Sequence, residues 1–195
     1  MIINSLAIIF IFATLSCTDP EVAKKEHFNS GLAHLEKNEM SAAIIEFKNA
    51  IQIDPTYADA YFQLGKAYIK GEKAEAAITA FEKAVELKPA FEEESAILLA
   101  RAYAMKGEFD TALDKLDAVL KEEADNALLH DTLGAIYLGK QDTVKSRVHL
   151  EKALEFDPML VSAHINIDWY RLLYLLVELV LEQAKPLLPV PLHLL

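Results

Sequence analysis

Six histidines (His27, His34, His130, His149, His164 and His193) and a single cysteine, Cys17, are the side chains of this 195-residue chain best suited to hold a metal or attack a substrate. Their spacing supports neither role. The chain has no HExxH run, no paired-cysteine spacing, no nucleophile elbow and no phosphate-binding glycine loop, so zinc, hydrolytic and nucleotide chemistry lack the residues to carry them. His27, His130 and His164 share one register position of a repeat and read as packing groups. The acidic runs Glu92-Glu93-Glu94 and Lys121-Glu122-Glu123 read as solvated helix ends. The expectation is a protein that is not an enzyme and uses no cofactor and no metal.

What positions these residues is a repeat. A small residue returns at Gly31, Gly65, Ala100 and Gly134, followed by His34, Tyr68, Tyr103 and Tyr137. Further columns are Ala43, Ala77, Ala112 and Ser146; Phe47, Phe81, Leu116 and Leu150; Ala50, Ala84, Val119 and Ala153; and Pro55, Pro89, Ala124 and Pro158. The period is 34, 35 and 34 residues, which predicts a solenoid of stacked units. Each proline excludes the residue before it (Asp54, Lys88 or Asp157) from helical conformation, so a helix must end there. Polar breaks at Lys37-Asn38, Lys70-Gly71, Lys106-Gly107 and Gly139-Lys140-Gln141 divide each unit into two helices. Gly65 and Ala77 are expected where the two helices of one unit touch, and Leu64, Tyr68 and Phe81 in the seams between units. Helices of about 14 residues are marginal alone in water, so stacking must supply their stability.

These columns closely resemble the tetratricopeptide repeat family over residues 24 to about 160, most clearly in Tyr61-Phe-Gln-Leu64-Gly65-Lys-Ala-Tyr68, Ala77, Phe81, Ala84 and Pro89. The resemblance implies an all-α, right-handed superhelical solenoid, with units at 24–57, 58–92, 93–126 and 127–160. It also implies a concave groove lined by the first helix of each unit. Carried over position by position, the groove comprises Phe28, Leu32 and Leu35; Phe62, Lys66, Ile69 and Lys70; Ile97, Arg101 and Met105; and Asp131, Ala135 and Leu138. Phe28, Phe62 and Ile97 would form an apolar stripe beside Lys66 and Arg101. The implied partner is a protein or peptide segment with apolar anchors and an acidic group. The Lys and Asn pattern with which some members grip a terminal carboxylate is missing.

Residues 1–16 form a different segment. The apolar run Leu6 to Leu15 ends in Thr14-Leu15-Ser16-Cys17 and then turns polar. As a helix it would span about 24 Å, short of the roughly 30 Å hydrocarbon core, so an export signal fits better than a membrane span. The junction resembles bacterial lipoprotein signals, which implies lipidation of Cys17, a tether over 17–23 and a lipid-anchored protein of the bacterial cell envelope. Thr18 in place of Asp after the cysteine implies the outer membrane, facing the periplasm. Thr14 and the absence of Lys or Arg in Met1 to Ser5 depart from that pattern, and a buried free thiol is the alternative reading.

The balance of 19 basic and 30 acidic residues gives a formal charge of −11, which disfavours nucleic acid as a partner, because phosphate binding needs basic surface. Residues 161–195 open like a fifth first helix, yet Asp168 stands in the small-residue column. Three readings of this segment stay open: a capping helix offered to a partner or a second copy of the chain, the interrupted end of a longer array, or membrane association. Cys17-Thr-Asp-Pro followed by Ala-Ala-Ile-Ile-Glu-Phe-Lys-Asn-Ala-Ile-Gln (42–52) resembles the repeat lipoproteins of exopolysaccharide and PEP-CTERM/exosortase systems. That resemblance implies a scaffold for export or sorting components, the alternative being an assembly factor for pili or outer-membrane proteins. An enzyme or small-molecule receptor would need a closed pocket that an open groove does not readily supply.

Overall fold

The computed structural model describes residues 19–122 and 125–184. Cys17, the apolar run before it, Ala124 and residues 185–195 lie outside the described residues. Nine α-helices occur among the described residues: α1 (Pro20–Glu36), α2 (Met40–Ile53), α3 (Ala58–Lys70), α4 (Ala74–Leu87), α5 (Glu92–Met105), α6 (Phe109–Glu122), α7 (Ala127–Gly139), α8 (Thr143–Phe156) and α9 (Val161–Ala184). A 3₁₀ turn, Pro89–Phe91, precedes α5. The first eight helices pack as the pairs α1/α2, α3/α4, α5/α6 and α7/α8, each pair stacked on the next, and α9 rests on α7 and α8.

The boundaries follow from local chemistry. Asp54, Lys88 and Asp157 cap their helices in extended conformation (φ −133, −145 and −136°) immediately before a proline, as steric exclusion by the ring requires. Within each pair the turn is made by one left-handed residue: Asn38 (φ 61°), Glu72 (57°), Gly107 (80°) and Gln141 (63°). The amides that follow reach back to His34, Tyr68, Tyr103 and Tyr137 carbonyls at 2.9–3.0 Å, the pattern of a Schellman C-cap. In the second unit the left-handed position thus belongs to Glu72, while Gly71 has φ −88°.

Close approach within each pair depends on the small-residue column. A Cβ placed on Gly31 would lie 2.6 Å from Phe47, one on Gly65 2.6 Å from Phe81, and one on Gly134 2.6 Å from Leu150. Phe81 is fully buried and fills its own hairpin against Gly65 and Phe62, not the seam between units. Tyr68 does serve a seam, with the Lys48 ammonium of the preceding unit 5.9 Å from its ring centroid. The buried apolar residues form one cluster across the first two units and α5, a second across α5, α6 and α7, and a small third where Leu150 and Ala153 meet Ala163 and Ile167 of α9.

Candidate functional site

The predicted groove residues separate into two columns with different fates. Phe28, Phe62, Ile97 and Asp131 follow one another at the repeat period and turn inward. Phe62 is 3% exposed, its ring stacked on Phe91 (centroids 4.6 Å apart) and edge-on to Phe81 (5.7 Å). Phe28 repeats this arrangement with Tyr57 and Phe47 at 5.1 and 5.8 Å, and Ile97 lies in the second core cluster. The apolar stripe expected of Phe28, Phe62 and Ile97 is therefore largely packed into the core: Phe28 and Phe62 meet Phe47 and Phe81 of the second helices of their pairs, and Ile97 is buried with only an edge on a neighbouring cleft. Leu32 and Leu35 pack partly buried against the first cluster.

The structure brings Ile69, Lys70, Arg101, Met105, Asp131 and Ala135 together around one cleft of about 440 Å³, within the range of ligand-binding cavities. Ile69 and Lys70 end α3, Arg101 and Met105 lie on α5, and Asp131 and Ala135 on α7. Lys66, Ile97 and Leu128 line an adjoining cleft of about 470 Å³. Leu138 lines neither of these clefts. Sequence reasoning missed the far wall, made by Ser162, Ile165 and Asn166 of α9. Its signal was present, since Val161 to Ile167 continues the first-helix pattern and places these side chains one period beyond Leu128, Asp131 and Thr132.

Asp131 is 2% exposed and serves that wall. Ser162 Oγ donates to its Oδ2 at 2.7 Å and Asn166 Nδ2 to its Oδ1 at 3.1 Å. The carboxylate is thereby satisfied by neutral donors and fixes the first turns of α9 across the end of the cleft. The cations behave differently. Among the described residues, Lys66, Lys70 and Arg101 form none of the ion pairs that engage Lys24, Lys88, Lys106 and Lys140 with Asp54, Asp59, Glu75 and Asp110. Lys66 instead lies 5.5 Å from the Phe62 ring centroid. Met105 and Ile165, 44% and 54% exposed, supply apolar surface beside Lys70 and Arg101, and Glu72 adds one carboxylate to the lining.

The histidines divide as well. His130 is buried, its ring stacked near His149 and Phe156, and His149 stacks in turn on Tyr137. Burial, reinforced by the neighbouring His130, pushes His149 down to about 4. His27 bonds Glu46 through Nδ1 at 2.6 Å. His164, expected to pack, is exposed and bonds the Pro158 carbonyl through Nε2 at 2.9 Å. No group of three or more metal-ligating side chains occurs among the described residues.

Paired antiparallel helices, small-residue contacts within pairs and a cleft bordered by first helices define an all-α solenoid of the tetratricopeptide type. Residues 31–71 match the model of a TPR repeat and residues 58–91 that of a tetratricopeptide repeat. No curated protein matches the chain. Among solved structures, a chain of the APC/C hetero-tetramer Cut9–Hcn1 superposes with a TM-score of 0.65 at 18% identity, covering 76% of this chain. The chain spans only 30% of the length of that structure. YrrB, a TPR protein with an unusual peptide-binding site, gives 0.60 at 23% identity over 75% of both chains. TTC0263, a thermophilic TPR protein in Thermus thermophilus, gives 0.60 at 21% identity over 80% of this chain and 82% of its own.

Proposed function

We propose that this protein is a non-enzymatic scaffold that holds an acidic, apolar-anchored peptide segment of a partner in the cleft between Ile69 and Asn166. The observation that carries the reading is the pair Lys70 and Arg101, which line a cleft of mixed polar and apolar side chains without an ion-pair partner among the described residues, in a chain of net charge −11. A peptide carboxylate there gains two charge-assisted contacts, while Met105 and Ile165 take its apolar side chains. The peptide-binding site named for YrrB agrees with this use of the fold.

In this reading the scaffold works at the bacterial cell envelope, held by a lipid on Cys17, and gathers components of exopolysaccharide export or protein sorting. Support comes from the apolar run ending at Cys17 and from the resemblance of residues 42–52. Membrane fractionation tests the anchor: Cys17→Ala should release the chain into the soluble fraction, and retention after a high-salt wash would refute it.

The cleft is tested by fluorescence anisotropy with a labelled decapeptide alternating leucine and glutamate. Lys70→Glu with Arg101→Glu should weaken binding at least tenfold and leave helicity unchanged. Equal binding by the double variant would remove the cleft assignment.

A further inference from the structure

The second half of α9 stands apart from the solenoid. Beyond Ile167, Trp169, Leu172, Tyr174, Leu175, Leu176, Val177, Leu179, Val180 and Leu181 are each 48–62% exposed. The charged residues of this stretch gather on one side, where Leu175 is the apolar residue that shares their sector. At 3.6 residues per turn, Asp168, Arg171, Glu178 and Glu182 fall within one sector of about 80°. The Arg171 guanidinium lies 3.5 Å from Asp168 along that stripe. On the far side of the helix run Trp169, Leu176 and Val180, flanked by Leu172, Val177 and Leu181. That face has no partner helix among the described residues, although a helix so patterned requires one.

Asp168 decides what can cover it. In the four preceding units this column holds Gly31, Gly65, Ala100 and Gly134, and three of these positions receive a ring or Leu150 in direct contact. Asp168 is exposed. A further second helix seated in the ordinary manner would bury its carboxylate against a large apolar side chain, which an uncompensated charge strongly disfavours. Continuation of the stack by a neighbouring molecule is excluded on the same ground, which leaves a helix crossing on the face opposite the charged stripe.

We infer that this face pairs with the same face of a second copy of the chain, the two α9 helices running antiparallel. The six side chains expose roughly 600 Å² per copy, so a pair that covered them fully would bury about 1,200 Å², the lower bound of specific interfaces. Antiparallel pairing follows from the position of the body. Ser162 and Asn166, on the same side of α9, bond to Asp131 of α7, so the fourth unit flanks the N-terminal end of the face. Parallel helices would drive the two bodies into one another; antiparallel helices place them at opposite ends, with Trp169 of each near Val180 of the other. This inference does not depend on the occupant of the cleft.

Cysteine cross-linking of the purified full chain, in a Cys17→Ser background that removes its only native thiol, tests both partner and orientation. A mixture of Trp169→Cys and Val180→Cys chains should form disulfide-linked heterodimers on mild oxidation. Each alone should not, because identical positions in an antiparallel pair lie about 17 Å apart along the axis. Sedimentation at 50 µM should show a dimer that Leu176→Asp with Val180→Asp converts to monomer, with unchanged circular dichroism at 222 nm. Self-linking by each cysteine would overturn the orientation. A wild-type monomer would overturn the pairing. So would a chain that dimerises only after removal of residues 185–195, or one that is monomeric and floats with phosphatidylcholine vesicles through α9; these assign the face to the chain's own tail or to lipid.

Discussion

Gly65 and Phe81 are in direct contact across the second hairpin: a Cβ on Gly65 would come within 2.6–2.8 Å of three carbons of the Phe81 ring. The ring is fully buried, 5.7 Å from the Phe62 centroid, and has nowhere to move. Alanine in a helix gains about 1 kcal/mol over glycine, whereas overpacking a filled core costs about 1–3 kcal/mol and occasionally more. Gly65→Ala should therefore destabilise by about 1–2 kcal/mol, read as a lower urea midpoint. Phe81→Leu introduced beside it should recover part of the loss, since the third unit pairs Ala100 with Leu116. Additive losses in the double variant would show that the two positions are not coupled.

Ser95 poses the reverse case. Its hydroxyl is fully buried and has no hydrogen-bond partner among the described residues, while one period earlier Ala60 occupies the same buried place. An unsatisfied buried hydroxyl costs about 1–3 kcal/mol. Ser95→Ala should raise the thermal midpoint, by the equivalent of about 1 kcal/mol. An unchanged or lower midpoint would mean that the hydroxyl is satisfied in solution.

The columns that predicted these contacts were legible because they repeat. Four copies separate the small residue, its large neighbour and the terminal proline from residues that vary freely, and helix boundaries follow from proline sterics alone. Facing direction was less legible. Phe62 and Lys66 are one turn apart on α3, and only packing distinguishes the inward aromatic, stacked on Phe91, from the cation that borders a cleft. Glu72 carries the left-handed turn although a glycine stands beside it, because the Schellman geometry fixes the position by its distance from Tyr68. The α9 wall was missed because its contribution rests on Asp131, which the repeat register places in the groove and whose carboxylate Ser162 and Asn166 of α9 bond.

His149 gives the fourth unit a pH dependence. Burial is the main cause of its depressed pKa, followed by the proximity of His130 and then Lys152, which bring it to about 4 from 6.5. The folded state therefore favours the neutral ring, and the unfolded chain takes up the proton first as pH falls. Stabilisation is complete above about pH 6.5 and is lost progressively down to about pH 4, a change of about 1–3 kcal/mol for a half-buried ring. Urea midpoints at about pH 7.5 and about pH 5.0 should differ by more in the wild type than in His149→Phe, which retains stacking on Tyr137 but cannot titrate. Equal differences in the wild type, in His149→Phe and in His149→Phe with His130→Phe would remove the pair as the cause, His130 being included because its Nδ1 lies 3.0 Å from that of His149.

Asp131 ties the cleft to its far wall, and this can be separated from a general loss of stability. Replacing it by alanine leaves Ser162 Oγ and Asn166 Nδ2 without the acceptor they share, a loss of about 2 kcal/mol for two bonds to a buried carboxylate. That loss is local. Among the described residues the bonds of Asp131 run to α9 and not to α1–α4, whereas α9 is otherwise held mainly by Ala163 and Ile167 against Leu150 and Ala153. Hydrogen exchange in Asp131→Ala should accelerate about tenfold or more over residues 161–168 and remain unchanged over 58–87. Binding of an acidic peptide should weaken even though Lys70 and Arg101 are intact, because Ile165 no longer closes the cleft. Asp131→Asn, which keeps one acceptor oxygen, should fall between wild type and alanine on both measures. Uniform acceleration across the whole chain would instead make Asp131 a global core residue and detach the wall from the cleft.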